Sequence, residues 1–134
     1  MINSKHVLFL TVFAAAAALA ACAPPEGESS SAGLPKGRVD AGEMQANAKG
    51  EATGQSCVDC HGADGNQPLD PTYPLIGGQY ADYLGHALQQ YRSGRRDHAL
   101  MSNQAQGLTD QQIADLAAYF AAQQTRLSDL SGAY

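Results

Sequence analysis

The stretch Cys57-Val58-Asp59-Cys60-His61, followed by Gly62-Ala63-Asp64-Gly65-Asn66, decides how the rest of the chain is read. Cys-x-x-Cys-His is the pattern of covalent c-type haem attachment. At this spacing two thiols can add to the two vinyl groups on one edge of a porphyrin, while the next residue sets an imidazole nitrogen under the iron. Cys57 and Cys60 are therefore the expected attachment points of one covalent haem c, and His61 its expected proximal iron ligand. Three other readings compete. A structural zinc site would need a fourth ligand beside Cys57, Cys60 and His61, and only His86 or His98 could supply it. A thioredoxin-like pair would need a strand before the motif and a helix after it, whereas Gly62 to Asn66 is turn chemistry. A Cys57–Cys60 disulfide would be strained and would leave a small core without its filler.

The second axial ligand must come from elsewhere, and the candidates are Met44, His86, His98 and Met101. Met44 lies on a predicted helix and reads as packing. His86 falls off the apolar stripe of its helix and reads as solvent-facing. Met101 lies between two predicted helices, where a loop can fold over the distal face of the haem, and is the expected ligand. His98, three residues earlier, is its rival.

Around these residues the pattern is helical. Tyr80, Tyr83, Leu84, Ala87, Leu88 and Tyr91 recur at the spacing of one helix face, which predicts a helix over 79–93 closed by Gly94. In a haem protein this tyrosine stripe is core, and so part of the haem wall. Thr109 with Gln112 forms a capping-box signal, and Ile113, Leu116, Ala117 and Phe120 follow at helical spacing, predicting a last helix over 110–124. A first helix over 42–55 has only the thin stripe Ala41, Met44, Ala48 and Ala52, and Gly50 and Gly54 weaken it. No segment reads as a strand. The fold class is all-α, with three main helices and short segments around one haem. Arg92, Arg95 and Arg96 cluster past the stripe, where a solvated face and pairing with haem propionates are equally open readings.

The N-terminal block is of another kind. Lys5 and His6 precede an apolar run from Val7 to Leu19, the charged and apolar regions of a secretory signal, and too short for an ordinary transmembrane span. Leu19-Ala20-Ala21-Cys22 resembles the bacterial lipobox, which implies cleavage before Cys22 and acylation of that residue. A plain signal peptide with a free Cys22 thiol is the alternative. Residues 22–40 are rich in Pro, Gly, Ser and Glu without apolar periodicity and read as a lipidated flexible tether. About 17 such residues span roughly 20–25 Å root-mean-square. The expected organisation is a signal over 1–21, the tether over 22–40 and a haem domain over 41–134. The expected location is the periplasmic side of a membrane, with Ala23 and Pro24 after the anchor pointing to the outer one.

Composition agrees with a small exported domain. The chain has 134 residues, three cysteines and 44% hydrophobic residues, many of them in the N-terminal block. Eight basic side chains face 13 acidic ones for a formal charge of −5. Removing residues 1–21 takes away Lys5 and no acid, leaving 7 minus 13, or −6. General attraction to nucleic acid or to an anionic membrane is excluded on that balance. A domain of this size stands near the lower limit for a self-sufficient core, and a cofactor supplies what it lacks.

Taken together, these blocks resemble the class I c-type cytochromes, most closely a single domain of the cytochrome c4/c553 group. The likeness runs through Cys57 to Gly65, Tyr73-Pro74-Leu75-Ile76-Gly77-Gly78-Gln79, Tyr83-Leu84, Tyr91-Arg92-Ser93-Gly94-Arg95, Met101 and Leu116-Ala117-Ala118-Tyr119, covering nearly all of residues 42–124. It implies the cytochrome c fold with His61 proximal and Met101 distal. It also implies that the Pro74 carbonyl accepts a hydrogen bond from the other ring nitrogen of His61, orienting the imidazole. Cytochrome c4 proper has two haem domains, whereas this chain has one motif and looks like a monohaem relative. Thr53 stands where the family often has a large apolar residue packed on the last helix. Gly50 matches a small residue expected to face Tyr119 or Phe120.

The functional expectation is a membrane-tethered carrier of single electrons between redox partner proteins, and not an enzyme. No second cofactor motif and no catalytic triad appears, and two filled axial positions leave no site for substrate. A haem-bearing subunit of a larger dehydrogenase or oxidase is the second reading. An enzyme or gas sensor with a vacant distal site is the third.

Overall fold

The computed structural model describes residues 32–127. The expected signal, Cys22 and the first part of the expected tether lie outside them. Among the described residues five helices follow in order: α1 (Val39–Asn47), α2 (Cys57–His61), α3 (Ala81–Arg92), α4 (Ala99–Ala105) and α5 (Asp110–Ala121). No strand occurs among the described residues.

The last helix organises the others. It begins at Thr109, whose hydroxyl accepts the Gln112 N–H at 3.2 Å while the Gln112 side chain accepts the Thr109 N–H at 2.9 Å. This reciprocal pair satisfies two of the N–H groups that the first turn leaves free. Ile113, Leu116, Ala117, Tyr119 and Phe120 are all buried on it. Leu116, Ala117, Tyr119 and Phe120 pack with Ala46 of α1 and Leu84 of α3 in one cluster, and Ile113 and Ala114 pack with Leu34 in a second.

The first helix differs most from expectation. It spans 39–47 rather than 42–55, because Ala48 turns extended and a turn over 51–53 follows, with the Thr53 and Gly54 N–H groups donating to the Gly50 carbonyl. Its buried residues are Gly42 and Ala46, not the expected stripe, and Met44 is 70% exposed instead of packing. A Cβ built on Gly42 would stand 2.0 Å from the Asp115 carbonyl oxygen and 2.6 Å from the Tyr119 Cβ. The close approach of first and last helices is thus made at Gly42. Gly50, expected in that role, lies by the Gln104 side chain instead: a Cβ built on it would stand 2.4 Å from Gln104 Oε1. Thr53 lies in the loop and forms no part of the crossing, its hydroxyl accepting the Gln55 N–H at 3.2 Å.

The expected tether boundary at residue 40 also moves. Leu34 is buried against α3 and α5, in a slot open because Gly85 has no side chain: a Cβ there would meet Leu34 at 2.7 Å. Gly37 lies against the Ala114 carbonyl, and Gln111 donates to the Lys36 carbonyl at 3.1 Å. Arg38 donates its main-chain N–H to Asp115 Oδ1 at 2.8 Å and its guanidinium to Oδ2 at 2.7 Å. Composition reads this stretch as linker, yet one leucine and two glycines let it dock, so the packed chain begins by Leu34.

Two expectations follow. Gly42→Ala forces the two helices apart against backbone atoms and should lower the unfolding free energy of the holoprotein by about 2–3 kcal/mol, read from a denaturant titration. A loss near zero would show that the crossing is not tight. Asp115 is nearly fully buried, and the Arg38 hydrogen bond, ahead of opposing burial, holds its carboxyl below the ordinary carboxylate range. Its contribution is therefore complete above the unfolded pKa near ~4 and is lost as pH falls through the lower folded value. The melting temperature of the natural protein should fall over that acid window more steeply than that of Asp115→Asn, which starts lower at pH 7. Parallel profiles would refute the assignment.

Candidate functional site

The motif segment is a helix of five residues, α2, and a short helix needs help at its ends. Ser56, buried, caps it: its hydroxyl accepts the Asp59 N–H at 3.3 Å, and Asp59 accepts the Ser56 N–H at 2.7 Å. Asp59 also pairs with Lys49 of the preceding loop. The Lys49 and Ser56 hydrogen bonds lower its carboxyl to about 2, so it stays ionised through the physiological range. Gly62 ends the helix at φ 84°, in the left-handed region, and returns its N–H to the Val58 carbonyl.

Beyond the helix, the loop is fastened to α5. The Tyr119 hydroxyl donates to the Ala63 carbonyl at 2.7 Å, and the buried Asn66 side chain donates to Gln124 at 2.8 Å. Gly65, at φ 73°, accepts the Ile76 and Gly77 N–H groups, and a Cβ there would collide with Gly77 and Phe120. Sequence reasoning assigned no role to Asn66 or to the Tyr119 hydroxyl. A polar residue inside a glycine-rich turn was the only available signal.

These ties set Cys57, Cys60 and His61 on the wall of a cavity of about 560 Å³. Both cysteines are free thiols and half-buried, and burial pushes the Cys57 thiol up to about 11. The His61 ring is buried and donates from Nδ1 to the Pro74 carbonyl at 3.0 Å. Burial lowers its pKa more than the Pro74 acceptor raises it, so the ring is held neutral, leaving Nε2 with a free lone pair. Tyr73 stands beside it, ring centroids 6.3 Å apart.

The rest of the wall comes from α3, α4 and α5, from the segment leading into the motif and from the loop over 72–79. Leu84, Ala87 and Leu88 supply one apolar stretch and Leu116, Ala117 and Phe120 another. Tyr83 and Tyr91 of the expected tyrosine stripe line the cavity, but Tyr80 does not and is 74% exposed, because α3 begins only at Ala81. Of the arginines, Arg92 is bound to Asp110 and to the Leu108 carbonyl, Arg95 donates to Ser93, and only Arg96 lines the cavity.

Met101 and His98 both line this cavity, whereas Met44 and His86 do not. Met101 lies in the first turn of α4, where a loop had been expected. Helix α4 is joined to the segment before the motif by Gln104, which donates to the Gln55 carbonyl at 2.9 Å. The cavity therefore gathers two thiols at Cys-x-x-Cys spacing, a neutral imidazole oriented through its other nitrogen, and a thioether, within mostly apolar walls. That donor set and shape fit a covalent haem.

The comparisons with known proteins agree. Residues 45–124 match the family model described as Cytochrome c. Cytochrome c-554(548) of Halomonas halodenitrificans is 49% identical over 80 residues, covering 58% of this chain and 95% of that one. The cytochrome subunit of sulfide dehydrogenase of Chlorobaculum tepidum is 36% identical over 73 residues, covering 54% of this chain and 64% of that one. Among solved structures, cytochrome c4 of Acidithiobacillus ferrooxidans superposes with a TM-score of 0.56 at 26% identity, over 69% of this chain and 54% of that one. The present chain thus spans about half of that cytochrome c4.

Proposed function

The chain belongs to the cytochrome c family and is an electron-transfer protein with covalent haem c, and we propose that it is a lipid-tethered carrier with His61 and Met101 as axial ligands. The carrying observation is the convergence of Cys57, Cys60, His61 and Met101 on one cavity whose remaining walls are largely apolar. When bound, the haem supplies a one-electron ferric/ferrous couple. Cys57 and Cys60 hold it by thioether bonds. His61 would ligate through Nε2, its ring held by the hydrogen bond from Nδ1 to the Pro74 carbonyl. Met101 offers a soft thioether, which favours the ferrous state over what a second nitrogen ligand would give. Leu84, Leu88, Leu116 and Phe120 exclude water around the site. With His61 and Met101 both engaged, the haem would leave substrate no place to bind, and the protein would carry electrons without catalysing a reaction.

Tyr83 and Leu100 line the cavity and remain exposed at 53% and 41%. An uncharged rim of this kind suits brief contact with redox partner proteins, with charged residues farther out steering the encounter. Acylation at Cys22 and export to the periplasmic side, at the outer membrane, rest on the lipobox resemblance and the signal. A short tether raises the effective concentration of the carrier near membrane-bound partners. Service as a haem subunit of a larger dehydrogenase is favoured by one observation, the similarity to the sulfide dehydrogenase subunit. A purified monomer that exchanges electrons freely with several partners would decide for the carrier.

The test is an absorption spectrum of the purified holoprotein in both redox states. The ferric form should show the weak near-infrared sulfur-to-iron band, and Met101→Ala should abolish it and let carbon monoxide bind the ferrous form at neutral pH. Survival of the band in that variant would overturn the ligand assignment. Intact-mass measurement should find one haem and an acylated Cys22 at the mature N-terminus; an unmodified Cys22 thiol would overturn the anchor.

A further inference from the structure

We propose that His98 is the positioning residue for the distal ligand, capping the helix that carries Met101 and fastening it to α3 through Tyr91. The inference rests on the reading of Met101 as ligand and adds what holds that ligand in place.

Helix α4 is only seven residues long, and a helix so short has little stability of its own. His98 is its N-cap, in extended conformation at φ −161° and ψ 119°. Its Nδ1 accepts the N–H of Met101 itself at 3.4 Å, and its own N–H is donated to the Ser102 hydroxyl at 3.2 Å. The pair is a capping box in outline, closed by a serine one residue later than usual, and it encloses Met101 between its two ends. The imidazole that makes this cap also meets the Tyr91 ring edge-on, centroids 6.5 Å apart at 72°. On the same tyrosine sits the Arg96 guanidinium, 4.8 Å from the ring centroid, with the Arg96 N–H returned to the Gln90 carbonyl at 3.1 Å. Tyr91 belongs to the last turn of α3, which packs on α5. A chain of contacts therefore runs from the core helices through Tyr91 and His98 to the Met101 backbone. Asp, Asn or Ser would cap as well; a histidine adds the aromatic contact with Tyr91.

The prediction concerns how firmly Met101 holds its place. Imidazole added to the ferric holoprotein competes for the distal position, and loss of the sulfur-to-iron band reports the exchange. Removing an N-cap has a typical cost equivalent to about fivefold in an equilibrium constant. His98→Ala should thus bind imidazole about fivefold more tightly than the natural protein. His98→Asn, which restores a capping acceptor, should return most of that change, and Tyr91→Leu should shift affinity in the same direction as His98→Ala while Tyr91→Phe does not. An unchanged imidazole affinity in His98→Ala overturns the proposal, as does an Asn variant no better than Ala. A lower melting temperature in His98→Ala without a change in imidazole affinity also overturns it, since that marks a purely structural role. If the natural protein lacks the band, or if His98→Ala abolishes it while Met101→Ala does not, the Met101 reading falls and this proposal with it. A normal band in the natural protein with no effect of His98→Ala removes this proposal alone.

Discussion

The contact between the Gly42 backbone and the Asp115 carbonyl is the constraint on which the remaining structure depends. It lets α1 lie directly on α5, and that closeness brings Ala46 into the cluster with Leu116, Ala117, Tyr119 and Phe120. The same stretch of α5 carries the Asp115 carboxylate that receives Arg38, so the chain entering α1 is fixed at the point where the helices meet. One turn later, Tyr119 and Phe120 reach the loop after the haem motif, by a hydrogen bond to Ala63 and a packing contact at Gly65. A single helix thus transmits its position both to the N-terminal segment and to the proximal side of the cavity.

Much of this could be read in the sequence, and the parts that could not have a common cause. The five motif residues, the Thr109–Gln112 cap and the α3 and α5 stripes are strong because each is carried by large or chemically distinctive side chains. Helix α1 is carried by what is missing: its packing face is Gly42 and Ala46, and a periodicity search weighted by apolar size gives Met44 more weight than Gly42. The exposed Met44 and the buried glycine are the result. Leu34 escaped notice for a related reason, since one leucine in a Pro, Gly and Ser stretch buries little by itself and finds a slot only because Gly85 lies across from it. Met101 was legible as a residue but not as part of a helix, because its N-cap is a histidine and not one of the short polar residues that usually mark a helix start.

Polar satisfaction explains why the motif helix can be so short. Five residues make almost no internal hydrogen bonds, yet the Ser56–Asp59 box, the Lys49 ion pair and the Gly62 return bond supply partners at both ends. Asp59 occupies one of the two positions between the cysteines that attachment chemistry leaves open, and the chain uses it for this purpose. The burial that holds His61 neutral and keeps the Cys57 sulfur protonated comes from the same apolar walls that would surround the haem. The cavity therefore fits a covalent haem in its donor set and in the apolar character of its walls.

The two sides of that cavity are built to different standards. On the His61 side, the ring is buried, bonded to Pro74, and set in a segment tied to α5 through Ala63 and Gly65 and to Gln124, just past that helix, through Asn66. On the Met101 side, the seven residues of α4 are tied by Gln104 to Gln55, by the buried Ala105, and by the His98 cap with its contact to Tyr91. Fewer hydrogen bonds join α4 to other parts of the chain than join α2 and the loop that follows it. Covalent attachment at Cys57 and Cys60 adds to the asymmetry, because it holds the cofactor to the proximal segment whatever the distal side does. On the proposed ligation, Met101 is then the element through which small changes in the chain, at Tyr91, His98 or Gln104, would alter the electron-accepting properties without disturbing the fold that α5 maintains.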